Sequence, residues 1–569
     1  LALKYSRHAM TLVVFVVTLG LVAAPVLAED VTGNWFGAID GYNLTFVHIE
    51  KGASGFSGFI DTHELPANPD NLNDHAALEN LSVTPEQLTF HFVESKLSGT
   101  FSGRWDTAKK GWAGNVTLQD GHKVPLTLYR TPATTLATAK LPPPKEVDDT
   151  AALDKVVQAY ADNLTFMGSV LVARGDQILL DKAYGYANVE WKIPAATNTR
   201  FLLASLSKQF TATAILMLEE QGKLRVDDPV GKYMPDTPES WKPITLHNLL
   251  THTSGIPNLD TSDRVRTAVA EPVTPDQIIG DAEKRPLDFA PDKQYSYSNT
   301  NYVLLARIVE NVSGESYADF LERHIFKPLG MKDTTLYNGE DLIPNFATGY
   351  DFGSTGLIKP DYENAGWLFG CGSIVSTTHD LLLWERALMG GKVLAPATVK
   401  RMITPYKNRY GYGVVHAPFL GYSVITHSGL FRGFTSVMHY FPDDKLTVIV
   451  LSNMRSNASG ELGNKLAQLA RGESVGLPPA RSFARVSPAL LKTYAGTYRL
   501  SGDKEVALSV DGYKLLLKTG PATYELAAQS DTQFFIAAPQ INIRIVKDDA
   551  GKPSMFYEQD GQKMNGPRE

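Results

Sequence analysis

The chain has 569 residues, with 54 Lys plus Arg against 61 Asp plus Glu and a formal net charge of -7. That length exceeds what one hydrophobic core organises and calls for several domains. A mildly acidic chain without a basic block excludes tracking along a phosphate backbone, so nucleic acid is not an expected partner, and a single cysteine, Cys371, excludes an internal disulfide.

In chain order, the first segment is "LALKYSRHAMTLVVFVVTLGLVAAPVLAED". Basic residues Lys4 and Arg7, an apolar run from Met10 to Leu21 and a small-residue exit follow one another as in a secretory leader, with cleavage expected after Ala28. Residues 1–28 are therefore expected to be lost, leaving a soluble chain that is periplasmic or secreted. Residues 29–135 carry short alternating runs such as "LTFVHIE", "QLTFHFVE" and "VPLTLYR", separated by Gly and polar turns. Period-two alternation of this kind predicts a small antiparallel β domain, with Trp35, Phe36, Trp105 and Trp112 read as its core and a cell-wall or carbohydrate-binding face as the alternative. Residues 136–150 include Pro142, Pro143 and Pro144, which cannot donate in a ladder and predict an extended linker.

Residues 151–475 change character. "DTAALDKVVQAYADN" has an apolar face at helical spacing, and "SVLVARGDQILLDKAYGYAN" reads as two strands about the turn at Gly175 and Asp176. A helix is expected from about Ser205 to Gln221, ended by Gly222. Three strand-like runs, "YSVITHSG", "FTSVMHYFP" and "LTVIVLSN", return near the end of the block, before the helical "ELGNKLAQLARG". Strands at both ends with helices between them predict one antiparallel sheet assembled from both ends and covered by helices. Residues 476–486 read as a second linker and 487–569 as a second all-β module. The fold class is thus multidomain α+β, a central sheet-and-helix domain flanked by two small all-β domains.

The chemistry begins at "FLLASLSKQF", residues 201–210. Ser205 and Lys208 are three apart, so a helix places both on one face about one turn apart. A serine hydroxyl needs a base before it attacks, and lysine serves only if its surroundings lower its ordinary pKa of about 10.4. Ser-x-x-Lys alone also describes a capped surface helix. Two further stretches complete a constellation. "YSYSNTNYVLL" sets Tyr297 and Asn299 two apart ahead of a helical run, supplying a phenol and an amide with both donor and acceptor. "VITHSGLFRGF" sets His427, Ser428 and Gly429 at a strand end, with glycine allowing close backbone approach.

Taken together, Ser205-Leu-Ser-Lys208, Tyr297-Ser-Asn299 and His427-Ser-Gly429 resemble the penicillin-recognising serine hydrolases. That superfamily includes class C β-lactamases, D,D-carboxypeptidases, D-stereospecific aminopeptidases and β-lactamase-like esterases. The resemblance runs from about 155 to 470 through "RFLLASLSKQFTATAILMLEEQGKLRVDDPVGKYMP" and "ITLHNLLTHTSGIP". It implies a β-lactamase/transpeptidase-like central domain and a lipocalin-like C-terminal one. It further implies Ser205 as the acylated nucleophile, Lys208 as its proton partner, Tyr297 as general base and Asn299 as holder of the lysine and the substrate amide. The backbone N–H groups of Ser205 and Leu430 would form the oxyanion pocket.

The resemblance implies that "THTSG", residues 251–255, is a structural landmark that ends a helix, and its Thr, Ser and Gly suit the hydrogen bonds of a turn. Cys371 reads as a buried spectator. No His-Glu-x-x-His and no cysteine cluster suggests a metal, and no cofactor is expected.

His427 is the departure from the resembled pattern, standing where β-lactamases usually have lysine, and a histidine carries little charge near pH 7. Peptide, amide or ester hydrolysis is therefore expected over β-lactam hydrolysis. His427 and Leu430 are placed at the edge of the cleft, and Arg432 is a candidate for reading a substrate carboxylate. The expected activity is cleavage of small peptides. Carboxylesterase or β-lactamase activity, or a non-catalytic penicillin-binding sensor, are the alternatives, and the full proton-transfer set favours catalysis over sensing.

Overall fold

The computed structural model describes residues 33–131 and 150–569, apart from short loop stretches within each. The leader and the Pro-rich linker lie outside the described residues.

Nine strands between Gly33 and Thr131 form one antiparallel sheet. Its first strand, Gly33–Ile39, pairs both with the next and with the last, Lys123–Thr131. Alternation sends Trp35, Phe90, Phe92, Phe101 and Trp112 inward, all fully buried. Half-buried Trp105 meets Trp35 and Trp112 edge-on at 6.2 and 5.6 Å, so these rings are core, as expected. The side chain of Phe36 lies outside the described residues.

The central domain begins with helix α1 (Thr150–Asp162), whose Leu153, Val156, Val157 and Tyr160 recur at helical spacing and are buried. Strands β1 (Gly168–Arg174) and β2 (Gln177–Tyr184) form a hairpin about Gly175 and Asp176. Helices α2 (Lys208–Glu220) and α3 (Asn299–Ser313) follow, then strands β3 (Val415–Phe419), β4 (Tyr422–Phe431), β5 (Phe434–Phe441) and β6 (Leu446–Ser452), and helix α4 (Ala458–Leu469). The sheet order is β2-β1-β6-β5-β4-β3, antiparallel throughout. The two ends of the domain therefore meet where β1 pairs β6, as the strand pattern predicts.

Strand alternation explains why this sheet is covered on both faces. Val170, Val172, Val448 and Val450 pack with Leu462 and Leu466 of α4, while Leu171, Ala173, Ile449 and Leu451 join the core of α2 and α3. Phe210, Ile215, Leu216 and Leu218 of α2 are fully buried, and each such side chain stabilises the fold by about 1.5–3 kcal/mol.

The last domain runs through eight strands from Gly496 to Pro567, each antiparallel to the next. The meander returns on itself: Tyr498 bridges Arg568, and the Glu569 N–H donates to the Thr497 carbonyl at 2.9 Å. Closure satisfies strand edges that would otherwise stay open. Phe352 of the central domain and Phe535 of the barrel meet Phe483 in a ring cluster, with centroids 5.7–6.4 Å apart. No helix among the described residues is long and apolar enough to cross a membrane.

Candidate active site

Ser205 does not open a regular helix. It lies in a 3-10 turn, Ala204–Ser207, and α2 starts only at Lys208, which corrects the expected helix start. Neighbouring strands clamp this turn. The Leu203 N–H donates to the Ile374 carbonyl (2.8 Å), the Ser207 hydroxyl accepts from the Ile374 N–H (3.1 Å), and the Ser436 hydroxyl on β5 donates to the Leu203 carbonyl (2.7 Å). Ala204 is held at φ +48°, a left-handed conformation that costs an L-residue roughly 1–2 kcal/mol. Such strain persists only where the surroundings enforce it.

Lys208 is fully buried. Its Nζ donates to Ser205 Oγ at 2.9 Å, Asn299 Oδ1 at 2.8 Å and the Cys371 carbonyl at 2.9 Å. The same ammonium lies 4.8 Å from the centroid of the Tyr297 ring. Three neutral oxygens and an aromatic face thus replace the water that a buried cation gives up. Ser205, Lys208, Tyr297 and Asn299 are brought together, as the resemblance implies.

The loop carrying Tyr297 and Asn299 is set by residues 251–260. His252 sits fully buried at φ +56°, its ring 4.3 Å from that of Tyr297. Its Nδ1 accepts from the Ser298 N–H at 3.2 Å, and its carbonyl accepts from the Ser296 N–H at 2.9 Å. Burial above all, then the charge of Lys208, drives the His252 pKa well below its ordinary value, so the imidazole is neutral. Gly255, at φ +77°, packs where a Cβ would come within 2.0 Å of the Phe289 carbonyl. Asn258 Oδ1 accepts the Asn299 N–H at 3.0 Å, and Asp260 Oδ2 accepts from Asn299 Nδ2 at 3.0 Å. Asp260 is solvent-exposed while most of its surroundings are protein, as expected in a concave cleft. Those walls push its carboxyl above the usual carboxylate range, against the pull of Lys208.

His427 is corrected by the structure: it is buried, 2% exposed, and not at an open edge. Its Nδ1–H donates to the Ser428 carbonyl (2.6 Å) and its Nε2 accepts from the Tyr410 hydroxyl (3.0 Å), which fits the neutral ring. Burial, followed by Lys208, pushes its pKa down to about 3. Gly429 on β4 faces the Ser205 turn so closely that a Cβ would lie 2.0 Å from the Leu203 carbonyl. Leu430 is 48% exposed.

Arg432 is already engaged. Its Nε donates to Glu363 Oε2 at 2.9 Å and its Nη1 lies 3.8 Å from Asp361, so its availability to a substrate carboxylate is reduced. Cys371 is buried, and burial raises its thiol to about 11, in keeping with a spectator side chain. Its carbonyl on Lys208 has no signal in the side-chain sequence. Asn258 and Asp260 stand two apart in "IPNLD", immediately after "THTSG", but nothing local links them to a loop some forty residues on. Tyr410 was equally unmarked. Among the described residues, no group of three or more His, Cys, Asp or Glu is placed to hold a metal ion.

Residues 153–472 match the Beta-lactamase family model. The chain is 32% identical over 448 residues to penicillin-binding protein 4* of Bacillus subtilis, covering 73% of this chain and 98% of that protein. It is 31% identical over 310 residues to a teichoic acid D-alanine hydrolase of Staphylococcus aureus, covering 53% of this chain and 74% of that one. Among solved structures, the octameric penicillin-binding protein homologue from Pyrococcus abyssi superposes with a TM-score of 0.52 at 26% identity, over 73% of this chain and 100% of that chain. With the matched span enclosing the whole Ser205 constellation, the chain belongs to the β-lactamase and penicillin-binding-protein superfamily of serine hydrolases.

Proposed function

We propose that the chain is an exported serine hydrolase that cleaves small peptides through an acyl-enzyme on Ser205. The observation that carries this reading is Ser205 Oγ at 2.9 Å from Lys208 Nζ, itself 2.8 Å from Asn299 Oδ1. In the proposed reaction Ser205 Oγ attacks the substrate carbonyl carbon while its proton passes to the Lys208 and Tyr297 unit, with Tyr297 as the base, since the Lys208 ammonium has no free electron pair. The backbone N–H groups of Ser205 and Leu430 receive the developing oxyanion. The proton then goes to the leaving amine as the C–N bond breaks. Water next adds to the acyl carbon, gives a proton to the same unit, and Ser205 leaves with that proton restored.

A neutral His427 provides no fixed positive charge for a substrate carboxylate, which supports peptides over β-lactams. A second reading, hydrolysis of D-alanyl groups or other acyl esters, is supported by the similarity to the teichoic acid D-alanine hydrolase. Mass spectrometry of the protein mixed with small peptides, p-nitrophenyl esters and benzylpenicillin, with kcat/KM ranked across the three classes, tests both. An adduct on the peptide containing Ser205, absent in Ser205→Ala, is expected, with peptides ranked first. An adduct elsewhere rejects the nucleophile. A higher kcat/KM for penicillin or simple esters than for every peptide tested rejects the peptidase reading.

A further inference from the structure

The two ends of an asparagine amide have nearly the same shape and opposite hydrogen-bonding character. Asn299 must present its oxygen to Lys208, because its NH2 end, turned to an ammonium, would set donor against donor. Packing alone does not distinguish the two orientations. A carboxylate on the far side does, since it accepts only from the NH2 end. Asp260 Oδ2 occupies that place, 3.0 Å from Asn299 Nδ2.

We propose that Asp260 is a positioning residue for acyl transfer, holding the Asn299 amide so that its oxygen stays on Lys208. Three observations beyond this contact bear on the assignment. Asp260 Oδ2 also accepts from Asn258 Nδ2 at 3.2 Å, while Asn258 Oδ1 takes the Asn299 N–H at 3.0 Å, so side chain and backbone of Asn299 are gripped from one short turn, Leu259–Thr261, and its N-cap Asn258. The cleft walls raise the Asp260 carboxyl and the charge of Lys208 opposes them, so the carboxylate and the ammonium act on one another across the amide. One N–H of the Asn299 amide goes to Asp260, which leaves the second N–H of known direction for a substrate carbonyl. Asp260 thereby acts through Asn299 without touching the reacting atoms.

The inference rests on the acyl-enzyme reading of Ser205, and trapping the adduct on Ser205 in the wild-type protein checks that reading first. Kinetics of the full chain with a p-nitrophenyl ester, bearing either a free amine or an N-acetyl group, are then compared for the wild type, Asp260→Ala, Asp260→Asn, Asn299→Ala and the double variant Asp260→Ala/Asn299→Ala. Asp260→Ala is expected to lower kcat by about 10- to 100-fold with little change in KM, the scale set by small misplacement of a catalytic group. Asp260→Asn, which keeps an acceptor oxygen but adds an NH2 able to pair with the Asn299 oxygen, should recover only part of that loss. The double variant should be no worse than Asn299→Ala alone, because the first residue acts through the second. Unchanged thermal unfolding separates positioning from a fold defect; Asp260 is an exposed turn residue, so its replacement leaves the core intact. Losses that multiply in the double variant, an unchanged kcat in Asp260→Ala, or a loss confined to the amine-bearing ester each overturn the proposal, the last in favour of direct substrate contact.

Discussion

At the floor of the cleft Lys208 is fully buried among the neutral oxygens of Ser205, Asn299 and Cys371, whereas Arg432, its side chain 32% exposed, lies against the carboxylates of Glu363 and Asp361. Burial raises the Glu363 carboxyl above its ordinary range, and the nearby charge of Asp260 adds to that rise against the pull of Arg432. Dipoles around Lys208 solvate its charge without cancelling it, so an uncompensated cation stays beside Ser205. Carboxylates around Arg432 compensate its charge in advance. The difference teaches that a cation's sequence neighbourhood does not announce its role; what matters is whether its partners are neutral or anionic.

The largest effect is expected where the comparison is broken at the floor. Lys208→Ala and Tyr297→Phe should each lower kcat/KM by about 10²- to 10⁴-fold, the usual scale for lost general acid–base chemistry. If the two form one proton-transfer unit, the double variant will lose far less than the product of the single losses. Steady-state kinetics on all three proteins decide the point, and multiplicative losses would show two independent roles.

An intermediate effect concerns pH. His427 is pushed to about 3 and His439, on the adjacent strand, to about 4, each chiefly by burial. Both lie below the unfolded value of about 6.5. Below that value the unfolded chain binds protons that the folded chain refuses, so stability present at neutral pH is lost as pH falls toward the folded values. The slope is about 1.4 kcal/mol per pH unit for each histidine. Urea unfolding at pH 7, 6 and 5 should show this loss, and His427→Gln should remove one histidine's share of the slope. A slope unchanged in that variant would mean that His427 takes up its proton in the folded state.

The smallest effect is expected at Arg432. A partly exposed ion pair contributes about 0–1 kcal/mol, so Arg432→Ala should change kcat/KM by less than about fivefold, equally for free-carboxylate peptides and their amidated analogues. A selective loss for the free carboxylates would sharpen the comparison the other way, by showing that the pair with Glu363 opens when substrate binds.

The sequence by itself determined what short-range geometry repeats. The short apolar run in "SVLVAR" ahead of the turn at Gly175 and Asp176 marked β1 as a strand, the apolar spacing of α1 selected its buried face, and the three-residue interval from Ser205 to Lys208 put a hydroxyl beside an amine. Each depends on a few consecutive residues, so local periodicity carries it. Only the tertiary structure decided the rest. Lys208 reaches Asn299 across 91 positions and the Cys371 carbonyl across 163, and Arg432 meets Glu363 across 69. The burial of His427 and the grip of Asp260 on Asn299 likewise come from strands and loops that cross far from one another in the chain. Charge compensation and desolvation fall off over a few ångströms of space rather than of sequence, so they are fixed only once packing has chosen which distant groups become neighbours.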